Sequence, residues 1–228
     1  MQRVFSIYTV VVLAMSADGK IADANRSPAR FGSVTDKAHL EAQVAQADAV
    51  LFGAETLRAY ETTLRVTHPD LLKLRQQNHQ PPQPIQIVAS RSAKLNSDWR
   101  FFSQPVPRWL LTTPAAQAWD APHFDRVLTI GTPSGIDWRA AWKEFAHSGI
   151  RRIAVLGGGS IVWNLLELDL IDELRLTICP LLLGGTIAPT PAAGIGFPEA
   201  IAPRLQLLSA EAIDHEVFLH YRLQHREV

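Results

Sequence analysis

Short unbroken apolar runs recur along the chain at Tyr8 to Ala14, Ala49 to Phe52, Ile85 to Ala89, Trp109 to Thr112, Val127 to Ile130 and Ile153 to Leu156. Runs of this kind, rich in Val, Ile and Leu, predict strands buried on both faces, as in a largely parallel sheet. Helical periodicity lies between several of them. Leu40, Val44 and Ala47 share one helix face, and Trp138, Ala141, Trp142 and Phe145 share another, with Asp137 placed to cap the latter helix and Gly149 to end it. Alternating strands and helices predict an α/β architecture with right-handed crossovers. The C-terminal third changes character. There the runs Leu174 to Ile178, Leu205 to Ile213 and Val217 to Leu223 follow one another, and the last two, separated by Asp214, His215 and Glu216, read as an antiparallel hairpin. Pro189, Pro191, Gly194, Gly196 and Pro198 mark an ordered surface loop before it, and Pro81, Pro82 and Pro84 end the polar segment Thr67 to Gln80. Neither stretch has the character of an interdomain linker, so residues 1–228 are expected to form a single domain.

Charge narrows the partners. With 22 basic and 22 acidic residues the net charge is zero, which gives no long-range attraction to nucleic acid or to an anionic membrane. A lone cysteine, Cys179, forms no internal disulfide and no multi-thiolate zinc site, and points to the reducing cytoplasm. Val4 to Met15 has the apolar character of a signal-peptide core, but Ser6, Tyr8 and Thr9 interrupt it and it ends in the turn-like Asp18-Gly19. A buried first strand is the better reading. The sequon Asn25-Arg26-Ser27 then has no chemical meaning.

Much chemistry is excluded. Gly131-Thr132-Pro133-Ser134-Gly135 spaces its serine wrongly for a nucleophile elbow. His39-Leu40-Glu41 matches half of a zinc-deaminase signature, but no P-C-x-x-C follows, and His39 and Glu41 read as helix-surface residues. The other histidines lack metal-ligand spacing, so no metal is expected. Three anion sites survive this filter. Ala154 to Leu156 runs as a strand into Gly157, Gly158, Gly159, Ser160 and Ile161, where glycines admit close backbone approach and a helix start adds free N–H donors. A plain strand-to-helix turn uses the same residues. Gly53 and Thr56 follow a second strand, and Ser90, Arg91 and Ser92 a third, the guanidinium there suiting an extra phosphate such as the 2′-phosphate of NADP. Ligands of open α/β sheets gather where such strand ends meet.

The same residues carry a family likeness across nearly the whole chain. Ala14-Met15-Ser16-Ala17-Asp18-Gly19-Lys20-Ile21-Ala22 is similar to an A-S-x-D-G-x-I-A turn, and Asp48 to Gly53 with Thr56 to D-A-[IV]-x-x-G-x-x-T. Leu170 to Leu174 and Pro180 to Gly185 match L-[VI]-D-E-[LF] and P-x-[LI]-[LI]-G-G. In this order the motifs resemble the reductase domain of the bacterial riboflavin-biosynthesis deaminase/reductase. The resemblance implies a dihydrofolate-reductase-like fold, a mixed and mostly parallel sheet flanked by helices with a C-terminal antiparallel hairpin. It also implies a cytoplasmic homodimer that uses NADPH to reduce the ribosylamino side chain of a pyrimidine phosphate to ribitylamino, as a 5-amino-6-(5-phosphoribosylamino)uracil reductase does. Carried over by position, Ala14, Thr56, Gly157, Gly158, Gly159, Ser160 and Ile161 face the cofactor, Phe31 lies near the nicotinamide, and Ser33, Leu64 and Arg65 hold the sugar phosphate. No catalytic dyad is identified. The deaminase half is absent, so a stand-alone reductase is expected. The chain departs from the family pattern where Tyr60 replaces an aspartate, Thr62 a proline and Leu156 a glutamate, and where the arginine is displaced to Arg65. Reduction of a pteridine-like heterocycle, and nucleotide binding without catalysis, therefore stay open beside the main reading.

Overall fold

The computed structural model describes residues 7–116 and 123–224. In chain order its elements are β1 (Tyr8–Ser16), α1 (Val34–Gln46), β2 (Ala49–Gly53), α2 (Ala54–Tyr60), α3 (Pro69–Gln77), β3 (Ile85–Ala89) and β4 (Arg108–Thr112). They continue as β5 (Arg126–Thr129), α4 (Trp138–His147), β6 (Arg152–Val155), α5 (Gly159–Glu167), β7 (Glu173–Cys179), β8 (Arg204–Ile213) and β9 (Glu216–Gln224). Two compact units result, one from Tyr8–Leu40 with Val155–Val228, the other chiefly from Glu41–Ala154.

In the unit around Glu41–Ala154 the strand order is β5-β4-β3-β2-β6. β2, β3, β4 and β5 pair in parallel, with Gly53 opposite Ala89 and Ala89 opposite Leu111. Burial of β2 and β3 on both faces explains their continuous apolar sequences, whereas β5 is half exposed. Arg126 covers that edge, stacking 4.8 Å above the Trp109 ring while pairing with Glu144 of α4. As expected, Asp137 caps α4 by accepting from Ala140 N–H at 3.0 Å, and Gly149 follows its end at φ +85°. The amino-terminal strand ends converge on Asp48. Its carboxylate accepts from the Arg151 and Arg152 N–H groups at 2.8 Å each, and its carbonyl accepts from Ile85 N–H at 3.0 Å.

The polar segment Thr67 to Gln80 departs from the hydrophobic pattern by containing α3, which His68 caps and Pro69 opens. Only Arg75 on this helix is buried, so the helix leaves no apolar stripe to read. Glu41 is likewise more than a surface residue: its carboxylate accepts from the Thr67 and His68 N–H groups at 2.5 and 2.8 Å and holds the entry to α3.

In the other unit the order is β1-β7-β9-β8, with β1 and β7 parallel and the two later pairs antiparallel. Asp172 joins three strands: its carboxylate accepts from Thr9 N–H at 2.7 Å, its own N–H donates to Thr9 O at 2.9 Å, and its carbonyl accepts from Leu223 N–H at 2.8 Å. The expected hairpin is present, but Glu216 is the buried first residue of β9 and not part of the turn, since it pairs with Ile213. β8 is exposed along nearly its whole length. α1 ends at Gln46, so Ala47 lies beyond it, buried but not helical.

Arg75 is 1% exposed and donates to Ala45 O and Ala47 O at 2.8 Å each and to Pro81 O at 2.7 Å. Arg75→Leu keeps the bulk and removes every one of these donors. The variant should lose about 3 kcal/mol or more of unfolding free energy, measured by urea denaturation, because buried carbonyls are left unpaired.

Candidate functional site

The glycine run forms the joint between β6 and α5. Gly157 has φ +114°, the Gly157–Gly158 peptide is cis, and Gly158 caps α5 in an extended conformation, φ −83° and ψ 176°. The three glycines differ in purpose. A side chain on Gly158 would meet no atom within 4 Å, whereas a Cβ on Gly159 would fall 2.2 Å from Thr190 O. Gly159 is thus a packing glycine that lets the 190s loop close on α5, a contact its carbonyl completes by accepting from Ala193 N–H at 3.0 Å. Gly158 faces open space. Gly159 and Ser160, at the first two helical positions, present N–H groups that no carbonyl of their own helix can reach. Ile161 contributes differently: its side chain is buried and its N–H already donates to Gly158 O at 2.9 Å.

Asp18 ties the neighbouring loops together. Its carboxylate accepts from Ser16 Oγ at 2.6 Å, Leu183 N–H at 3.0 Å and Gly184 N–H at 2.7 Å. These donors, the Ser16 hydroxyl first, hold its pKa at about 2, so the link persists until pH falls well below the ordinary carboxylate range.

In the unit of Glu41–Ala154, Gly53 and Thr56 at the β2–α2 joint are brought beside Ser90, Arg91 and Ser92, because Gly53 and Ala89 are register partners. Ser90 is buried and its hydroxyl accepts from Ala93 N–H at 3.1 Å, shaping the turn from inside. Arg91 and Ser92 are exposed, and the Arg91 carbonyl is fixed by the Thr113 hydroxyl at 3.1 Å. Leu64 and Arg65 stand apart from this edge. They sit half-buried on the loop after α2, which Gln104 and Gln83 fasten through Thr63 N–H and Val66 N–H at 3.0 and 2.9 Å, near where β3 and β4 begin.

Around α1 the structure assembles a polar group that the sequence did not reveal. Ser33 caps α1, its hydroxyl accepting from the Thr35 and Asp36 N–H groups at 3.1 Å each. The same hydroxyl donates to Glu216 at 2.6 Å and Ser33 N–H donates to Glu216 at 2.8 Å, so Ser33 is committed to the fold. Cys179 Sγ lies 3.6 Å from Glu216, and burial foremost pushes the thiol up to about 12, which makes it inert at neutral pH. The Asp36 carboxyl lies on the side of α1 near Thr177 of β7, the register partner of Ala14. Burial first, and then the Glu216 charge, push the Asp36 carboxyl up. One turn along, His39 is half-buried against Phe218 at 5.5 Å, and burial lowers its pKa. A signal existed: Glu173, Arg175 and Thr177 alternate along β7 on one face, which an apolar cover would not tolerate.

Among the described residues no group of three His, Cys, Asp or Glu is arranged to hold a metal ion, and no helix is long and apolar enough to cross a membrane. The family model of the RibD C-terminal domain matches residues 7–219. The chain belongs to this family. It is 26% identical to the 2,5-diamino-6-ribosylamino-4(3H)-pyrimidinone 5′-phosphate reductase of Archaeoglobus fulgidus over 83% of this chain and 88% of that protein. Among solved structures, a pyrimidine reductase-like protein from Corynebacterium diphtheriae superposes with a TM-score of 0.81 at 20% identity, covering 96% of this chain and 93% of that one. Dihydrofolate reductase from Enterococcus faecalis shares the fold at a TM-score of 0.54 and 9% identity, covering 96% of this chain and all of that one.

Within this RibD C-terminal domain, the second and third glycines of the turn should separate experimentally. Gly158→Ala puts a methyl group into open space at an ordinary φ, so its melting temperature should stay near that of the wild type while affinity for a phosphate-bearing cofactor falls. Gly159→Ala should lower the melting temperature, since the backbone of Thr190 must move. Differential scanning calorimetry and cofactor titration read the two effects.

Proposed function

We propose that this chain is an NADPH-dependent reductase that converts the ribosylamino side chain of a 2,5-diamino-6-ribosylamino-4(3H)-pyrimidinone 5′-phosphate, or its deaminated counterpart, to ribitylamino in riboflavin biosynthesis. The observation that carries this reading is family membership over residues 7–219, joined to an archaeal reductase that aligns over most of both chains. The residues present fit the cofactor. Gly158 leaves room for a pyrophosphate, the Gly159 and Ser160 N–H groups are its donors, and exposed Arg91 and Ser92 suit a 2′-phosphate. Gly53 and Thr56 extend that second edge, while Ala14 is assigned to the cofactor and Phe31 to its nicotinamide. Bound NADPH supplies the hydride. The protein's part is to orient the ring-opened imine of the sugar, which accepts hydride without strong acid–base help. The resemblance assigns Leu64 and Arg65 to the sugar phosphate, and Arg65 is half-buried and in no ion pair among the described residues, but both sit near the starts of β3 and β4 and not at the Ser90 to Ser92 edge. A buried, inert Cys179 agrees with a cytoplasmic enzyme. The decisive experiment is consumption of NADPH with the ribosylaminopyrimidine phosphate and detection of a product that has gained two hydrogens. A folded protein that binds NADPH but reduces neither ring form would reject the reading.

A hydrogen bond to a charged group contributes about 1.5–3 kcal/mol, so Arg91→Ala should weaken NADPH binding by roughly 10- to 150-fold and leave NADH nearly unchanged. Calorimetric titration of both cofactors checks this.

The partner we assign is a second copy of the chain. β8 exposes Leu205, Leu207 and Leu208 on a long edge strand, which an isolated protein would leave open to pairing. Sedimentation at micromolar concentration should show a dimer, and Leu207→Lys on β8 should shift it toward monomer.

A further inference from the structure

The exposed segment after β3 is held from beneath by the end of β4. The carbonyl of Arg91, a residue exposed to solvent, accepts from two buried hydroxyls, Thr113 Oγ at 3.1 Å and Thr112 Oγ at 3.4 Å. Thr113 is 0% exposed and Thr112 2%. The residues on either side of Arg91 are anchored as well. Ser90 N–H donates to Leu111 O at 2.9 Å, and Ser90 Oγ accepts from the N–H of Ala93, which stands in the left-handed region at φ +53°. Water would satisfy the carbonyl of an exposed loop equally well. What the two threonines add is a fixed peptide plane. The Arg91–Ser92 peptide is trans, so a carbonyl turned toward the threonines turns the Ser92 N–H the opposite way, and among the described residues that N–H meets no acceptor. The same plane sets the direction in which the Arg91 side chain leaves the backbone.

We propose that Thr113, supported by Thr112, is a positioning residue for the cofactor: it holds the Arg91–Ser92 peptide so that the Arg91 guanidinium and the Ser92 N–H are presented together to the 2′-phosphate. The assignment rests on the reading of Arg91 as the partner of that phosphate. Thr113 touches no ligand itself. An arginine on a loose segment loses part of its interaction energy to ordering that segment when the ligand arrives, and a peptide fixed beforehand avoids the loss. NADH carries a hydroxyl at the same place and gains little from the arrangement. Thr113 is therefore a determinant of cofactor preference that acts from inside the sheet.

The test is calorimetric titration of NADPH and NADH into wild type, Thr113→Val, Thr113→Ser, Thr112→Val, Arg91→Ala and the Arg91→Ala/Thr113→Val double variant, each with its melting temperature. Thr113→Val keeps the side-chain shape and removes the donor. It also releases the N–H of Ala115, 3.3 Å from Thr113 Oγ, but Ala115 is exposed and water replaces the bond. Loss of one hydrogen bond should weaken NADPH by about five- to tenfold and leave NADH nearly unchanged. Thr113→Ser retains the hydroxyl and should bind as wild type does. Thr112→Val should show a smaller loss with the same selectivity. In the Arg91→Ala background Thr113→Val should weaken NADPH by at most about twofold more, the remainder being the Ser92 N–H, because the threonine acts through the arginine. With Arg91→Ala itself selective for NADPH, the positioning role is overturned by a Thr113→Val variant that loses nothing, loses both cofactors equally or loses as much without Arg91, and the reading of Arg91 stands. Should Thr113→Val melt below the titration temperature, absence of a selective loss in Thr112→Val overturns the role in its place. An Arg91→Ala variant that loses NADPH and NADH alike overturns both.

Discussion

Strand ends present backbone N–H groups that the sheet cannot satisfy, and this protein answers with aspartates. Asp48 accepts two such groups at the amino ends of the parallel strands, Asp172 accepts one from β1, and Asp18 gathers two from the loop that follows β7. A carboxylate is suited to the work because it offers several acceptor sites in one plane and donates nothing. Each aspartate links segments distant in sequence, over 103, 163 and 165 residues for single bonds, so local turns alone could not hold the strand ends. The rest of each unit hangs on these junctions. The Gly157 to Ser160 turn and the Ser90 to Ser92 turn can be irregular because the strands leading into them are pinned elsewhere.

This division of labour explains what the sequence discloses. Strands β1 to β4 and β6 are apolar on both faces and announce themselves, as does α4, whose inner face carries Trp138, Trp142 and Phe145. α3 does not, since its one buried side chain is an arginine. The start of α1 is hidden for a related reason: Asp36 and His39 face neighbours on β7 and β9, so a pattern based on apolarity sees only surface. For the candidate site, the glycine run and the Ser90 to Ser92 segment were legible from composition and position. Which glycine is open and which is packed was not, because Thr190, 31 positions from Gly159 in sequence, decides it through space. The pairing of Glu216 with Ser33 is the sharpest case, for neither residue is unusual in its own neighbourhood.

Motif residues divide in the same way. Asp18 and Asp48 belong to segments that carry the family likeness, yet their observed contacts are architectural, and both lie at loop-to-strand junctions. Leu156, where the resemblance implies a glutamate, follows β6 and precedes the glycine turn.

The close approach of the 190s loop to α5 has a consequence for how this fold tolerates change. Thr190 O occupies the place of a side chain on Gly159, Gly194 lies where any Cβ would strike the Trp163 indole, and Phe197 stacks on that indole at 4.6 Å. Loop and helix are therefore cut to one another like two halves of a hinge. Loop variants retaining these three touching points can be exchanged between related chains freely, whereas any graft that omits them uncovers an aromatic ring and unseats the turn at the head of α5.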